Sequence, residues 1–405
     1  MPVLANIGLL ATCAGPGGQG ELHPVPRAAV AWEGETIGWA GPEADLPARW
    51  RAEERWDAGG RLVIPGLVDC HTHLCFGGWR ADEFADRIRG VGYLEIARRG
   101  GGIASTVART RELSEEALFA RAAGFLEEMG KLGVTTVEAK SGYGLDRETE
   151  LRLLRVHRRL HRETPMRVVS TYLGAHLVPP EHVGQREEYL RLVEELLPLV
   201  ARERLADAAD AYVDEGAFSV AEARRLLSRA RALGLDLHLH ADQHGDRGGA
   251  ALAAELGARS ADHLEFVSAS GIAALAAAGT VAVSLPIAAL YLATPPLPAR
   301  SLVEAGVPVA VSTDFNPGTA PSYHLPLALT LACTVQRLTP AEALKGATQV
   351  AARALGLEAV CGSVEAGKSA DLAVIDAATP DEWLYHLRPN ACVLTVAGGR
   401  AAWRA

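Results

Sequence analysis

Between residues 62 and 316 the chain alternates short β-rich runs with amphipathic helical stretches, eight times over. The expected strands are Leu62–His73, Val134–Lys140, Val168–His176, Ala211–Glu215, Leu235–Asp242, Ser260–Glu265, Thr280–Pro286 and Val307–Asp314. Helical stretches such as Asp146–Glu163, Arg186–Arg204, Val220–Leu233 and Gly248–Leu256 separate them, with small or turn residues at the boundaries. Strands joined through helices run parallel. Eight such units close into a (β/α)8 barrel whose chemistry sits at the C-terminal ends of the strands. A doubly wound open sheet is the alternative, but no glycine-rich nucleotide fingerprint follows the first strand.

The flanks read differently. Residues 1–61 and 363–405 hold short β-like runs, Ala28–Trp32, Thr36–Ala40, Leu372–Ile375 and Cys392–Ala397, with Gly and Pro between them. Neither flank has enough apolar residues for a core of its own. One composite β-sandwich built from both is therefore expected beside a catalytic barrel spanning 62–362. The segment Gly15-Pro-Gly-Gly-Gln-Gly20 reads as flexible.

Of 405 residues, 49% are hydrophobic and 22% charged, which suits a globular chain with a large core. A net charge of -9 without any Lys/Arg-rich block argues against a nucleic-acid partner. No apolar run is long enough to span a bilayer, and the N-terminal ten residues lack the basic region of an export signal. The six cysteines (13, 70, 75, 333, 361, 392) show no C-x-x-C pairing, so neither a disulfide framework nor a zinc ribbon is expected. These features predict a cytoplasmic protein with no membrane partner.

Polar residues at the strand ends are the candidate site. His71 and His73 end the first expected strand; side chains two apart share a face, about 6.5–7 Å apart along the backbone, and can converge on one cation. Strand two ends in Lys140, followed by Ser141-Gly142-Tyr143-Gly144, and strand three in His176. Strand four gives Asp214 and Glu215, strand five His238, His240, Asp242 and Gln243, and strand six His263. Strand eight gives Asp314, followed by Phe315-Asn316-Pro317-Gly318-Thr319. Plainer readings exist: His176 suits a hydrogen-bonded core histidine, and Asp314 a turn residue. His238 and His240 share a face, so spacing does not choose between them. His240 lies nearer the mouth, and His238 is expected to fill a barrel layer. Asp242 and Asp262 are expected to hold neighbouring groups by hydrogen bonds. Histidines at four different strand ends, with an aspartate at the eighth, are hard to attribute to chance.

Pro65-Gly-Leu-Val-Asp-Cys-His-Thr-His73, taken with Asp314, resembles the amidohydrolase superfamily. Within it the chain is similar over nearly its full length to the imidazolonepropionase family. The similarity is carried by His71–Phe84, Gly100–Thr106, Glu138–Asp146, Thr171–His176, His240–Gln243, Ser260–Leu264 and Thr313–Gly318. The histidine motif is shared across the superfamily, whereas Ser-Gly-Tyr-Gly and Asp-Phe-Asn-Pro-Gly are much narrower. The resemblance implies His71, His73, His240 and Asp314 as ligands of a divalent metal, zinc or iron. Many superfamily members bridge two metals with a carboxylated lysine on strand four. Here that strand ends in Asp214-Glu215 and Lys140 lies on strand two, so one metal is expected. A homodimer is also implied.

The implied reaction is hydrolytic opening of 4-imidazolone-5-propanoate to N-formimidoyl-L-glutamate, a step of histidine degradation. In that chemistry the metal activates water, and His263 stabilises the oxyanion. Asp314 takes the water proton and passes it to the leaving ring nitrogen. Gln243 holds the ring. Some relatives carry glutamate there, and a glutamine takes up no proton at neutral pH. Arg80 is implied to clamp the propanoate, since guanidinium reads carboxylate bidentately. Taken without the resemblance, Arg80 reads as a surface ion-pair residue. Tyr143 and His176 complete the pocket, with Asn316, Gly318 and Thr319 contacting substrate or product. Two rivals stand beside this reading. A guanine-type deaminase would give Arg80 no carboxylate to clamp, and a non-catalytic scaffold would be expected to have lost metal ligands that are all present here.

Overall fold

The computed structural model describes residues 2–91, 95–96 and 99–405. Five strands come first: β1 (Val3–Ala11), β2 (Pro24–Glu33), β3 (Thr36–Pro42), β4 (Arg55–Asp57) and β5 (Leu62–Pro65). The barrel follows as β6 (Leu67–Asp69), β7 (Val134–Lys140), β8 (Arg167–Ala175), β9 (Ala208–Val213), β10 (Asp236–Leu237), β11 (His240–Ala241), β12 (Ser260–His263), β13 (Val281–Ser284) and β14 (Val309–Val311). The chain finishes with β15 (Leu372–Ile375), β16 (Cys392–Ala397) and β17 (Arg400–Arg404).

The barrel strands lie parallel in chain order, with β10 and β11 both paired to β9 as two pieces of one position. The ring is joined between its first and last members just beyond their ends. Thr72 bridges Phe315, His73 N–H donates to Phe315 O (2.8 Å), and Asp314 N–H donates to His71 O (3.1 Å). The fully buried Asp69 carboxylate tightens the same seam, accepting from Ser312 Oγ and, at 2.7 Å, from Thr313 Oγ1. Strand β7 shows how sequence period sets the layers. All seven of its residues are buried; Val137 and Ala139 join the apolar core, while Glu138 and Lys140, two apart, share the inner face. The helices start where side-chain caps sit: Asp146 accepts from Thr149 N–H (2.7 Å), and Ser219 with Glu222 forms a capping box, each cap contributing about 1 kcal/mol.

The expected first barrel strand, Leu62–His73, is divided at Gly66. Leu62–Pro65 pairs with β1 and β15 in the terminal sheet, and only Leu67–Asp69 pairs with β7. A Cβ on Gly66 would stand 2.2 Å from Thr135 Oγ1, so the chain passes hard against β7 where it changes sheets. Hydrophobicity is unbroken across this point and hides the switch. The terminal strands form one sheet in the order β17-β16-β15-β5-β1-β2-β3, with β4 on β1. It curls until Ile37 N–H meets Lys368 O (2.8 Å), enclosing a core that includes Leu4, Ile7, Val30, Trp32, Val63, Leu372 and Val396. Strand β1 went unanticipated because a bulge around Asn6 (φ +53°) breaks its alternation. The glycine-rich segment 15–20 is tied down, contrary to its composition. Gln19 Nε2 donates to Val309 O (2.6 Å) and its Oε1 accepts from Val309 N–H (2.9 Å), tying the segment to the start of β14.

His157, on the helix Arg147–Glu163, is fully buried with Nδ1 3.0 Å from Ser170 Oγ. Burial, helped by the Arg158 charge, holds its pKa down at about 3, against about 6.5 in an unfolded chain. The unfolded chain therefore binds a proton that the folded one refuses. Stability is full above pH 6.5 and is lost as the pH falls from there toward 3. In the metal-stripped protein, His157→Gln is expected to flatten the fall of Tm across that window. Parallel Tm–pH curves for parent and variant would contradict this.

Candidate active site

Strand ends from around the ring bring their histidines to one point. His71 Nδ1 lies 2.6 Å from Asp262 Oδ2, and His240 Nδ1 lies 2.9 Å from Asp210 Oδ2. With His71 Nδ1 hydrogen-bonded to Asp262 and His240 Nδ1 facing the Asp210 carboxylate, each ring presents its Nε2 lone pair inward. His240 Nε2 stands 3.4 Å from His73 Nε2, and Asp314 Oδ1 stands 3.4 Å from His71 Nε2 and 3.6 Å from His73 Nε2. His71 Nε2 has no hydrogen-bond partner among the described residues, although it is buried. Ligand atoms of His71, His73 and His240 all lie within 4.8 Å of one another, as do those of His71, His263 and Asp314. Burial pushes the Asp314 carboxyl up to about 7, the cost of ionising an oxygen among neutral imidazoles. Nitrogen lone pairs aimed together, with a carboxyl that resists ionising alone, are what a cation would relieve. The donor set fits a divalent metal.

Beneath this cluster lies a layer of buried charge. Lys140 Nζ donates to Asp210 Oδ2 (2.8 Å) and Glu138 Oε1 (2.9 Å) and lies 3.5 Å from Asp262 Oδ2, all four side chains being inaccessible. Burial alone would discharge the lysine, but Asp210, Glu138 and Asp262 hold its pKa above the ordinary value. Lys140 thus braces the two aspartates that orient His71 and His240. His238 fills the barrel interior, its Nδ1 2.8 Å from Ser260 Oγ. Asp242 accepts from the N–H groups of Arg247, Gly249 and Ala250 at 2.9–3.0 Å, ordering the start of the helix Gly249–Glu255. Asp214 accepts from His244 N–H (2.8 Å), whereas Glu215 points outward to Arg247.

Above the cluster opens a small cavity of about 40 Å³. Of the residues singled out from the sequence, His73, Arg80, Tyr143, His176, His240, Gln243, His263, Asp314, Asn316 and Thr319 line it. Glu150 shapes the Tyr143 loop, its carboxylate accepting from the N–H groups of Gly142 (3.0 Å), Gly144 (2.8 Å) and Leu145 (2.9 Å). His176 Nδ1 reaches Gly142 O (2.9 Å), and its ring stacks on His73 with centroids 5.0 Å apart. Burial next to His240 lowers the His176 pKa to about 3, leaving a neutral ring. For His263, burial works against the charged form, but Glu265, Asp314 and Asp262 outweigh it and raise the pKa.

The last loop is organised from within. Asn316 Oδ1 accepts from Gly318 N–H (2.8 Å) and Thr319 N–H (2.7 Å), while Nδ2 donates to Asp314 O (2.7 Å). Its amide is spent on holding the turn. Gly318 does not line the cavity; it lies under Arg80, where a Cβ would stand 2.2 Å from Cζ. Arg80 is a buried residue, not the surface ion-pair residue its type alone suggests.

Tyr212, His244, Ile103 and Leu292 also line the cavity and were not foreseen. Asp210, Tyr212 and Asp214 alternate along one strand end, a signal available in the sequence but masked by the small residues around it. Ile103 and Leu292 arrive from distant helices, and nothing local marks them.

A model of the amidohydrolase family matches residues 62–401. The imidazolonepropionase of Ralstonia nicotianae is 48% identical over 399 residues, covering 98% of this chain and 97% of that protein. The imidazolonepropionase of Cereibacter sphaeroides is 50% identical over 367 residues, covering 90% and 92%. The chain belongs to the imidazolonepropionase family of amidohydrolases. Among solved structures, Escherichia coli guanine deaminase superposes with a TM-score of 0.76 at 16% identity, over 100% of both chains. That likeness is one of fold. Membership of the imidazolonepropionase family and the His/Asp donor cluster together support a divalent metal at the mouth of the barrel.

Proposed function

We infer that this chain hydrolyses 4-imidazolone-5-propanoate to N-formimidoyl-L-glutamate, the ring-opening step of histidine degradation. The reading is carried by full-length identity near one half to imidazolonepropionases. Arg80, buried in the cavity wall, separates it from purine deamination, which offers no carboxylate for a guanidinium to hold.

His71, His73, His240 and Asp314 would hold the metal. When bound there, a divalent cation supplies Lewis acidity and lowers the pKa of water toward neutrality. Arg80 takes the propanoate, fixing which end of the substrate faces the strand ends. Tyr212 O–H donates to Gln243 Oε1 (2.8 Å), leaving the Gln243 Nε2 hydrogens to hold the ring. Asp314 accepts a water proton on a carboxylate oxygen as the water oxygen bonds to the ring carbonyl carbon. His263, held toward its protonated form, donates to the oxygen that gains charge. Asp314 then returns the proton to the ring nitrogen as the C–N bond breaks.

One cation is favoured over two, because Lys140 Nζ already sits among Asp210, Asp262 and the His240 side, the other acidic group able to attract one. Three imidazole nitrogens with one carboxylate suit zinc or iron; elemental analysis of the purified protein decides between them. Six free thiols support a reducing, cytoplasmic location, and no helix among the described residues is long and apolar enough to cross a membrane. A homodimer is proposed and is read by light scattering.

Product analysis tests the reading. Incubation with imidazolone propanoate should yield formimidoyl-glutamate without ammonia, and guanine should be left intact. Arg80→Met is expected to lower kcat/KM for imidazolone propanoate by about 10²–10³-fold, the loss of one partner of a buried charge pair. An unaffected variant, or ammonia release from guanine, would favour the deaminase reading.

A further inference from the structure

Arg80 is held from one side. Its backbone N–H donates to Pro317 O (3.2 Å) and its guanidinium lies against Gly318, where no side chain fits. Its Nε donates to Glu83 Oε2 (3.1 Å). Nη2 is buried and has no hydrogen-bond partner among the described residues, in a side chain lining the cavity on a residue only 4% exposed. A buried charged N–H without an acceptor is destabilising, and a ligand carboxylate would remove that cost.

Glu83 is itself buried, and it does more than pair with Arg80. Its other oxygen accepts from Gly102 N–H (2.8 Å), the residue preceding the helix Ile103–Arg111, and Ile103 forms part of the cavity wall. Arg87 Nη2 lies 3.5 Å from the same carboxylate, and its Nη1 donates to Gly318 O (2.9 Å). A single carboxylate thus joins three pieces of chain: the helix Ala81–Ile88, the glycine segment 100–102 and the turn 317–319.

We propose that Glu83 is the positioning residue of the carboxylate subsite, aiming the Arg80 fork into the cavity without touching the ligand. An arginine side chain has many rotamers to lose; a fork already fixed through Nε loses few of them when a carboxylate docks. The identity of the ligand rests on the ring-opening reading, but recognition of a carboxylate does not.

The test uses Glu83→Gln and Glu83→Asp in the full, metal-loaded chain. Binding is measured calorimetrically for two probes, 3-(imidazol-4-yl)propanoate and 4-propylimidazole, which lacks the carboxylate. We expect the propanoate to bind about 10–100-fold more weakly to both variants, and propylimidazole to change less than about 3-fold. KM for imidazolone propanoate should rise by the same factor with kcat little altered. A merely structural role would weaken both probes alike and lower Tm, and that result overturns the proposal. So does an unaltered protein that binds the two probes equally. If Glu83→Gln fails to fold, Glu83→Asp carries the comparison. Should the parent protein fail to open the imidazolone ring while propanoate binding still depends on Glu83, the ring-opening reading falls and this one stands.

Discussion

Asp314→Asn is expected to lower kcat by at least about 10³-fold in a protein that still folds. Asp314 sits at φ +55°, a left-handed conformation that Asn tolerates nearly as well as Asp, so the substitution adds little backbone strain. Its N–H bond to His71 O, which joins the first and last strands, is untouched. What changes is the carboxylate. An amide oxygen 3.4 Å from His71 Nε2 and 3.6 Å from His73 Nε2 is a neutral, weaker donor to a cation, and it takes no proton from water at neutral pH. Steady-state kinetics with metal per chain measured on the same sample separates the two effects. Loss of turnover with metal still bound isolates the proton-carrying role. Loss of both shows that the carboxylate is needed to hold the cation. Retention of more than about a tenth of the activity would remove Asp314 from the mechanism.

The second large effect lies below the substrate. Lys140→Met is expected to weaken metal binding by about 10–100-fold and to cost about 3–5 kcal/mol of stability. The lysine neutralises Asp210 and Asp262, whose other contacts include the Nδ1 atoms of His240 and His71. Without it, buried carboxylates face each other with nothing between them. One of them protonates, and the imidazole it orients loses its acceptor. Thermal melts with and without added metal, together with chelator competition, read both consequences. A variant that is merely less stable, with an unchanged rise in Tm on metal addition, would show that Lys140 supports the barrel and not the ligands.

How much of this was legible in the sequence depends on whether a residue acts through its own element or through another. The histidines at the strand ends were visible because a period of two fixes which face each occupies; His71 and His73 could only point together. The same rule could not choose between His238 and His240. The structure distinguishes them by depth, with His238 bonded to Ser260 inside the barrel and His240 facing the cavity. The sheet change at Gly66 was hidden because Leu62–Pro65 and Leu67–Asp69 are equally apolar, and only Thr135, far along the chain, explains the glycine. Lys140 was visible as a strand-end cation but not as a brace, since Asp210 and Asp262 come from two other strands. Glu83 falls in the first turn of the helix Ala81–Ile88, where an acidic residue carries no local mark of a role. Its contact with Arg80 is a local i,i+3 pair, but the one with Gly102 exists only once the two segments pack together.

The most direct test is the ultraviolet absorbance of freshly generated imidazolone propanoate after addition of the purified protein, with and without chelator, followed by metal restoration. Rapid loss of the imidazolone band is expected, abolished by chelator, restored by zinc or iron, and matched by formimidoyl-glutamate. A folded, metal-loaded sample that leaves the band unchanged would contradict the assignment of substrate and reaction.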